Sequence, residues 1–523
     1  MPRRTVMVTV APIPHRPLSN RVPTARIPRL CLAVQGTTTD ELLGRAERAA
    51  RESDLIELRL DALKNPAAIA APLRQFLRST PQTLVIATCR KQTYGGGFKG
   101  SVDAEWKVLK EAVAAGCALI DIEVQSAERL SQAAMTEVRH HASLIVSYHD
   151  FKTTPDLDAV LERLRAIPAD IYKLVPTATL WRHNVELLRM LEKYERQGGE
   201  QTLVAFCMGE LGLASRILSL RSGGAFTFGT IEAQHATAPG QPSVEALRQD
   251  YRIDALNRAT RIYGVLGYPL EHSLSPRMHN AAYRRLGMNA VYLPLPSRRP
   301  AEVLDFADEI PLSGISVTIP HKTAIMEHLA RVDALGAEVG AVNTVVRSQG
   351  KFYGYNTDVA GIIEPLAQVM PLRGAKILVL GAGGAARAAV FGLRSRGAQV
   401  YICNRTRARA QALATAAKAK VVAHADLKKL EFQALIHATP VGQYPKVKES
   451  PLQASELHAG VVFDLVYNPM ETALVRMARA AGARVIPGIE MFVHQGARQF
   501  ELWTGKPAPV DDMRREVMAA LAT

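Results

Sequence analysis

The 523-residue chain is poor in cysteine, with only Cys31, Cys89, Cys117, Cys207 and Cys403. None of the five stands at C-x-x-C spacing and most lie in apolar runs. That pattern excludes a disulfide scaffold and suits buried, reduced thiols in a reducing compartment; no metal is expected. Charge-free apolar runs of the roughly 18 residues that a membrane span needs are also missing, so the chain reads as a soluble protein. Aromatic residues make up 6% and do not interleave with Lys/Arg blocks, which argues against a nucleic-acid surface. A short-period repeat is absent, which excludes a solenoid. Acid is absent from the first 39 residues, where six arginines and six prolines fall. Residues 1–29 therefore read as a basic, Pro-rich leader, with a cleaved transit peptide as the alternative. The expected location is the cytoplasm, or a plastid if the leader is a transit peptide.

What is present is ordinary globular composition, 48% apolar and 22% charged, over a length that suggests about three to four folding units. The net charge of +15 is spread along the chain and suits anionic small substrates. Between Arg29 and Gln241, β-rich runs recur with helical patterns between them: CLAVQG, LIELRL, TLVIATC, ALIDIEV, SLIVSYH, DIYKLV, TLVAFCM and AFTFGT. Eight strands alternating with helices over just above 200 residues is the pattern of a (β/α)8 barrel, with an open doubly wound sheet as the alternative. A charged segment over 244–261 reads as a linker helix. The alternation then restarts at YGVLGYP, and KILVLGAGGAARAAV runs a strand into a Gly-rich turn and a helix.

Period-two alternation places Lys173 on one strand face with Ile171 and Val175. A lysine among apolar groups is pushed toward the free amine, the nucleophilic form. His149 in SYHD stands one strand away and can move protons. Glu57, Arg59 and Asp61 share a face of LIELRLD, where buried charges are costly unless they pair or bind something. Arg90 and Arg216 fall beyond strand C-termini, where barrel enzymes build their sites. The residues alone describe a Schiff-base barrel for a carboxylated carbonyl substrate.

ELRLD, TCR, SYHDF, YKLV, LASR and ATAPGQ occur in this order across residues 30–243 and resemble type I 3-dehydroquinate dehydratases. The resemblance implies that Lys173 forms an imine with the substrate ketone while His149 removes and returns protons. It assigns Glu57, Arg59, Arg90, Arg216, Thr237 and Gln241 to substrate holding. Two positions depart from the family pattern. Tyr94 stands before Gly95-Gly96 where many members have a Glu that helps orient the catalytic His, and Thr237 replaces the more usual Ser.

In the second half, Gly381-Ala382-Gly383-Gly384-Ala385 follows a strand and opens a helix, the context that makes G-x-G-x-x-(G/A) a dinucleotide site. About 20 residues on, where an NAD site would place an acid, the chain has Asn404-Arg405-Thr406 and then Arg409, which suit a 2′-phosphate. Upstream lie Ser273 and Ser275, Thr318 and Lys322 in ISVTIPHK, Asn343 in GAVNT, and Asp358 in YNTD. Hydroxyls, an amide, an ammonium and a carboxylate are what a polyhydroxylated ring needs for orientation.

With ATPVG, FDLVYNP and PGIEMFVHQ, this combination resembles shikimate dehydrogenases from Tyr263 to about Trp503. The resemblance implies proton transfer by Lys322 with Asp358 as its partner. It also implies ring contacts from Ser273, Ser275, Thr318, Asn343, Tyr467 and Gln495, and NADP(H) contacts that extend to Thr439, Leu465, Gly488 and Met491. His437 replaces the Asn often found before ATP. The expected organisation is a substrate-binding domain over 262–365, a Rossmann domain over 366–488, and helices over 489–523 returning to the substrate domain. The first activity's product is the second's substrate. The combined expectation is a bifunctional enzyme like the fused plant type, acting on 3-dehydroquinate, 3-dehydroshikimate and shikimate without nucleic acid or membrane. A catabolic quinate/shikimate dehydrogenase fusion and a non-catalytic substrate sensor are the rivals.

Overall fold

The computed structural model describes residues 27–198, 201–232, 234, 237–238 and 240–522. The basic leader lies outside the described residues as far as residue 26. Among the described residues no helix is long and apolar enough to cross a membrane. The chain divides into two compact units, Met1–Leu247 and Arg248–Thr523.

Unit 1 is a parallel barrel of eight strands: β1 (Leu30–Gln35), β2 (Leu55–Arg59), β3 (Leu84–Thr88), β4 (Leu119–Glu123), β5 (Ser143–His149), β6 (Ile171–Val175), β7 (Thr202–Ala205) and β8 (Thr227–Gly229). Neighbours pair in the order β7-β6-β5-β4-β3-β2-β1-β8. The Ala225 N–H donates to the Leu203 carbonyl at 3.1 Å, linking β7 to the chain entering β8. Alternation decides what each face does. Leu55, Leu119, Ile145, Ile171 and Val204 join one buried apolar cluster, and the polar residues two or four places further along the same strands share that face. Helix starts are capped locally, as where Ser101 accepts from the Ala104 N–H and Asp156 from the Ala159 N–H. Such caps contribute about 1 kcal/mol each.

Of the linker helix expected over 244–261, only residues 244–250 are helical. Ala246–Asp250 makes one π-helical stretch, Arg252 adopts a left-handed φ of 50°, and Ile253–Ala255 makes a 3-10 turn. Buried side chains explain the break. Leu247 packs against Gly229 at the barrel, whereas Tyr251, Ile253 and Leu256 are buried within unit 2. The chain follows these anchors rather than its helical charge spacing.

Unit 2 has two sheets. The first contains β9 (Arg261–Gly267), β10 (Ala290–Pro296), β11 (Leu312–Val317), β12 (Arg331–Val332), β13 (Thr344–Ser348) and β14 (Lys351–Tyr355), in the order β10-β9-β11-β13-β14-β12. The second contains β15 (Lys376–Leu380), β16 (Gln399–Cys403), β17 (Lys420–Val421), β18 (Ala434–His437), β19 (Val461–Asp464) and β20 (Arg484–Ile486). Its order, β17-β16-β15-β18-β19-β20, is entirely parallel. Counted from β15, this is the 3-2-1-4-5-6 order of a doubly wound dinucleotide fold, with its crevice at the carboxyl ends of the strands. The helix Gly488–Thr504 packs its Val493, Phe500 and Trp503 into the core of the first sheet, and the Trp503 indole donates to the Val345 carbonyl at 3.0 Å.

Candidate active sites

Strand register assembles the barrel site. Ser147 of β5 stands opposite both Glu123 of β4 and Lys173 of β6, and Thr88 of β3 stands opposite Arg59 and Asp121. Lys173 is 3% exposed. Its Nζ lies 3.0 Å from Asp121 Oδ2, 3.5 Å from Glu57 Oε1 and 4.2 Å from the centre of the Phe228 ring. The apolar setting expected for this lysine is therefore corrected, because two carboxylates as well as an aromatic ring surround the amine. Thr88 donates to Glu57 Oε1 at 2.7 Å and fixes that carboxylate.

His149 is held from both sides of its ring. Nδ1 lies 2.9 Å from Glu123 Oε2, and Nε2 lies 3.0 Å from Arg90 Nη1. Arginine only donates, so Nε2 is the accepting nitrogen and Nδ1 carries the proton toward Glu123. Burial, with the charges of Arg90 and Lys173 adding to it, holds the imidazole well below its ordinary pKa. Burial also pushes Glu123 up to about 7. Burial pushes the Asp121 carboxyl up as well, yet the charges of Lys173 and Arg90 prevail and hold it well below the usual range. Arg90 also donates to Asp121 Oδ1 at 2.6 Å and to Ser147 Oγ at 3.0 Å.

Arg216 is 1% exposed and stacks over the Phe206 ring at 4.3 Å. Nη1 donates to the Phe228 carbonyl at 3.2 Å, but Nε and Nη2 are buried without a partner. Burial lowers this guanidinium to about 10. Arg59 is clasped by Asp61 at 2.9 and 2.8 Å, so its charge is already answered, and Asp61 lies past the strand in the turn Leu60–Ala62. Thr237 donates to Gln241 Oε1 through its N–H and its hydroxyl, at 2.7 and 3.0 Å, while Gln241 donates to the Gly229 carbonyl. Glu57, Arg59, Arg90, His149, Lys173, Arg216, Thr237 and Gln241 all line one cavity.

Three participants are absent from the sequence reading: Asp121, Glu123 and Ser147. The first two stand at alternate positions of LIDIE, the same period-two signal that singled out Lys173. Tyr94 lies in the turn Gln92–Tyr94, and the acid beside His149 is Glu123 from β4.

In unit 2, a cleft of about 1240 Å3 is lined by Ser273, Ser275, Thr318, Lys322, Asn343, Asp358, Tyr467 and Gln495, together with Leu465, Gly488 and Met491. Lys322 Nζ donates to Asp358 Oδ2 at 2.5 Å, and Asn343 Nδ2 donates to Asp358 Oδ1 at 2.8 Å. Asp358 is 3% exposed and begins the helix Asp358–Ala367, where unpaired N–H groups favour a carboxylate. Asn343 is itself held, because its Oδ1 accepts from the Thr357 N–H at 2.7 Å. Tyr467 stacks on Phe492 with ring centres 5.0 Å apart. Gln499, absent from the sequence reading, also lines the cleft and donates to the Asn343 carbonyl at 3.0 Å.

The glycine turn sits between β15 and the helix Gly384–Ser395. Gly381 has a φ of +118°, and a Cβ there would lie 2.6 Å from the Ala438 carbonyl oxygen. Only glycine fits. Gly383 and Gly384 are exposed, and a Cβ on either would meet nothing within 4 Å. That open space before a helix N-terminus is what a diphosphate needs for close approach. Ala382 and Ala385 complete the turn. Asn404, Arg405 and Thr406 follow β16, and Arg409 lies in the helix Arg407–Ala417; Arg405 and Arg409 are exposed. Thr439 follows β18. The turn residues, the arginines, Thr439 and Leu465 thus gather at the carboxyl edge of one sheet, and the residues present fit a dinucleotide.

The fold and its sites define an eight-stranded barrel lyase joined in one chain to a dinucleotide-dependent dehydrogenase. Family models agree: type I 3-dehydroquinase matches residues 30–258, the shikimate dehydrogenase substrate binding domain 265–345, shikimate/quinate 5-dehydrogenase 365–462, and the shikimate 5′-dehydrogenase C-terminal domain 488–518. Over 506 residues the chain is 34% identical to the chloroplastic bifunctional 3-dehydroquinate dehydratase/shikimate dehydrogenase of Arabidopsis thaliana, an alignment covering 92% of this chain and 82% of the plant protein. Shikimate dehydrogenase (NADP(+)) of Methanopyrus kandleri is 44% identical over 284 residues, 51% of this chain and 98% of that protein. The crystal structure of shikimate 5-dehydrogenase from Thermus thermophilus with NADP(H) and shikimate covers 50% of this chain and 100% of its own, at 38% identity and a TM-score of 0.47. The chain belongs to the family of bifunctional 3-dehydroquinate dehydratases/shikimate dehydrogenases.

Proposed function

We propose that Lys173 and His149 carry the dehydration of 3-dehydroquinate in the barrel, and that Lys322 and Asp358 carry the reduction of 3-dehydroshikimate in unit 2. The chain is a lyase and an NADP-dependent oxidoreductase of the shikimate pathway, supplying chorismate and aromatic amino-acid biosynthesis. The observation that carries the first assignment is Arg216, a buried cation with no carboxylate partner among the described residues, in the same cavity as an amine and a neutral imidazole. A carboxylated ketone answers all three.

In the barrel, the Lys173 amine adds to the substrate ketone and water leaves, giving an imine. The imine draws electrons from the adjacent carbon, so His149 Nε2 can remove a proton there and leave an enamine. Collapse of the enamine expels the β-hydroxyl, which departs as water with the proton that His149 returns. Hydrolysis of the imine then frees 3-dehydroshikimate and the amine. Glu123 keeps the proton on Nδ1 and steadies the transient imidazolium. Arg216 holds the substrate carboxylate, and Glu57, Arg59, Arg90, Thr237 and Gln241 hold its polar edge.

In unit 2, NADPH supplies a hydride to the carbonyl carbon when it is bound. The oxygen that becomes an alcohol must gain a proton, and Lys322 is placed to donate it while Asp358 fixes the ammonium. Ser273, Ser275, Thr318, Asn343, Tyr467 and Gln495 orient the ring. Gly381, Gly383 and Gly384 would admit the diphosphate, Arg405 and Arg409 the 2′-phosphate, and Leu465, Gly488 and Met491 the nicotinamide end. All five cysteines are buried and free, and we place the enzyme in a reducing compartment such as the cytoplasm.

One coupled assay tests the whole reading. With 3-dehydroquinate and NADPH, enone absorbance should rise and then fall as NADPH is consumed. Borohydride added with 3-dehydroquinate should leave a substrate-derived mass on Lys173. NADPH loss without an enone, or an adduct on another lysine, would contradict it.

A further inference from the structure

His437 and Asp464 stand opposite one another where β18 and β19 end, and both are fully buried. His437 Nδ1 lies 2.8 Å from Asp464 Oδ1. The other neighbours of this carboxyl are donors: the Thr472 hydroxyl reaches Oδ2 at 2.5 Å, and the Val466 N–H reaches Oδ1 at 3.0 Å. Thr472 already accepts from the Val475 N–H at 3.1 Å, so its single proton is directed at Asp464. A carboxyl surrounded by donors is a carboxylate, which leaves the imidazole proton on Nδ1. In the neutral ring Nε2 is then a bare lone pair, and the Thr439 hydroxyl, 2.6 Å away, donates to it.

The consequence falls on Thr439. It is half-buried at the turn after β18, and its methyl lies 3.3 Å from where a Cβ on Gly381 would stand. With its proton committed inward, this hydroxyl can only accept, and its Oγ also lies 3.3 Å from the Val441 N–H. An acceptor beside the glycine turn cannot serve a phosphate oxygen, which itself only accepts. It can serve a sugar hydroxyl.

We propose that Asp464 and His437 are positioning residues that set Thr439 as an acceptor for a ribose hydroxyl of bound NADPH. This rests on the NADPH reading above. The test is the NADPH dissociation constant of the complete chain, measured by nucleotide fluorescence without turnover, beside kcat at saturating NADPH. His437→Phe and Thr439→Val should each raise the dissociation constant about three- to tenfold, and His437→Phe should leave kcat nearly unchanged. The double variant should bind no more weakly than the weaker single one, because the two changes remove one interaction. Asp464→Leu keeps most of the side-chain volume but offers Nδ1 no acceptor. Nothing then holds the imidazole proton on Nδ1 or directs the Thr439 hydroxyl, so NADPH binding should weaken here too.

An unchanged KM for 3-dehydroshikimate at saturating NADPH shows that each variant has folded. If His437→Phe does not fold, Asp464→Leu decides. Unaltered NADPH binding in a folded His437→Phe or Asp464→Leu variant, or multiplying effects in the double variant, would overturn the relay. Failure of the unaltered chain to bind NADPH would overturn the cofactor reading and the relay with it.

Discussion

His149 Nε2 accepts a hydrogen bond from Arg90 Nη1 at 3.0 Å, so the lone pair of this ring is on Nε2 and its proton on Nδ1. Arg90 thereby selects the tautomer of a base, and Glu123 stabilises the same choice from the other ring nitrogen.

This arrangement predicts the effect of Glu123→Gln. A glutamine amide can donate to Nδ1, which moves the imidazole proton to Nε2 and removes the lone pair. Dehydratase kcat should fall by about 10²- to 10⁴-fold, the usual range for lost acid–base catalysis, while reduction of 3-dehydroshikimate is unaffected. The pH profile carries a second check. Because His149 is held below its ordinary 6.5, the acid limb of dehydratase kcat/KM assigned to it should lie below pH 6.5. The stability sign agrees. A histidine kept neutral in the fold binds its proton more readily when unfolded, so barrel stability should decline as pH falls below 6.5. A histidine limb above pH 6.5 would contradict the geometry.

Arg216→Met should separate function from stability. The guanidinium has two buried nitrogens without partners, a burden that typically costs about 1–3 kcal/mol per unsatisfied group. Replacing it with an apolar chain should leave the barrel as stable as before or raise its Tm. KM for 3-dehydroquinate should nevertheless rise at least about tenfold, because the charge-assisted contacts to the substrate carboxylate are lost. Thermal melts beside initial rates will show both; an unchanged KM would remove Arg216 from substrate binding.

Lys322→Ala should lower dehydrogenase kcat by about 10²- to 10⁴-fold while NADPH affinity changes little. The separation of roles motivates this. Lys322 pairs with Asp358 in the substrate cleft, whereas the glycine turn and the arginines lie on the other sheet of unit 2. Weaker NADPH binding with kcat intact would contradict proton transfer by Lys322.

Where a residue's chemistry and its strand parity coincide in one position, the sequence is readable. Lys173 among Ile171 and Val175 is such a case, and so is the glycine turn that directly follows KILVL. Asp121 and Glu123 obey the same parity but read only as part of a β-rich run, because acids on a strand announce no partner until its neighbours are known. Their partners come from the chain just after β3 and from β5 and β6, separated from them by 24 to 52 residues. The unpaired state of Arg216 is a property of space rather than of sequence. At 244–261 local charge spacing misleads, because burial of Leu247 in one unit and of Tyr251 and Ile253 in the other decides the path of the chain.

Cofactor choice rests on Arg405 and Arg409. NADPH differs from NADH only by a phosphate on the adenosine ribose, so selectivity must come from groups near that ribose. β16 ends at Cys403, and Asn404 stands where a ribose-binding carboxylate would repel a phosphate. Asn404 Nδ2 donates to the Thr406 carbonyl at 2.9 Å, which folds the turn and leaves Arg405 exposed. Arg409 lies one helical turn further on and is also exposed. Guanidinium groups can hydrogen-bond the phosphate and stack on the adenine. Charge-assisted bonds of about 1.5–3 kcal/mol correspond to roughly ten- to a hundredfold each. The unmodified enzyme should therefore strongly prefer NADPH. Arg405→Ala or Arg409→Ala should raise KM for NADPH by about tenfold or more and leave the weak NADH reaction nearly unchanged. Steady-state kinetics with both cofactors will decide: equal kcat/KM for NADPH and NADH in the unmodified enzyme, or equal losses with both in the variants, would show that these arginines do not read the phosphate.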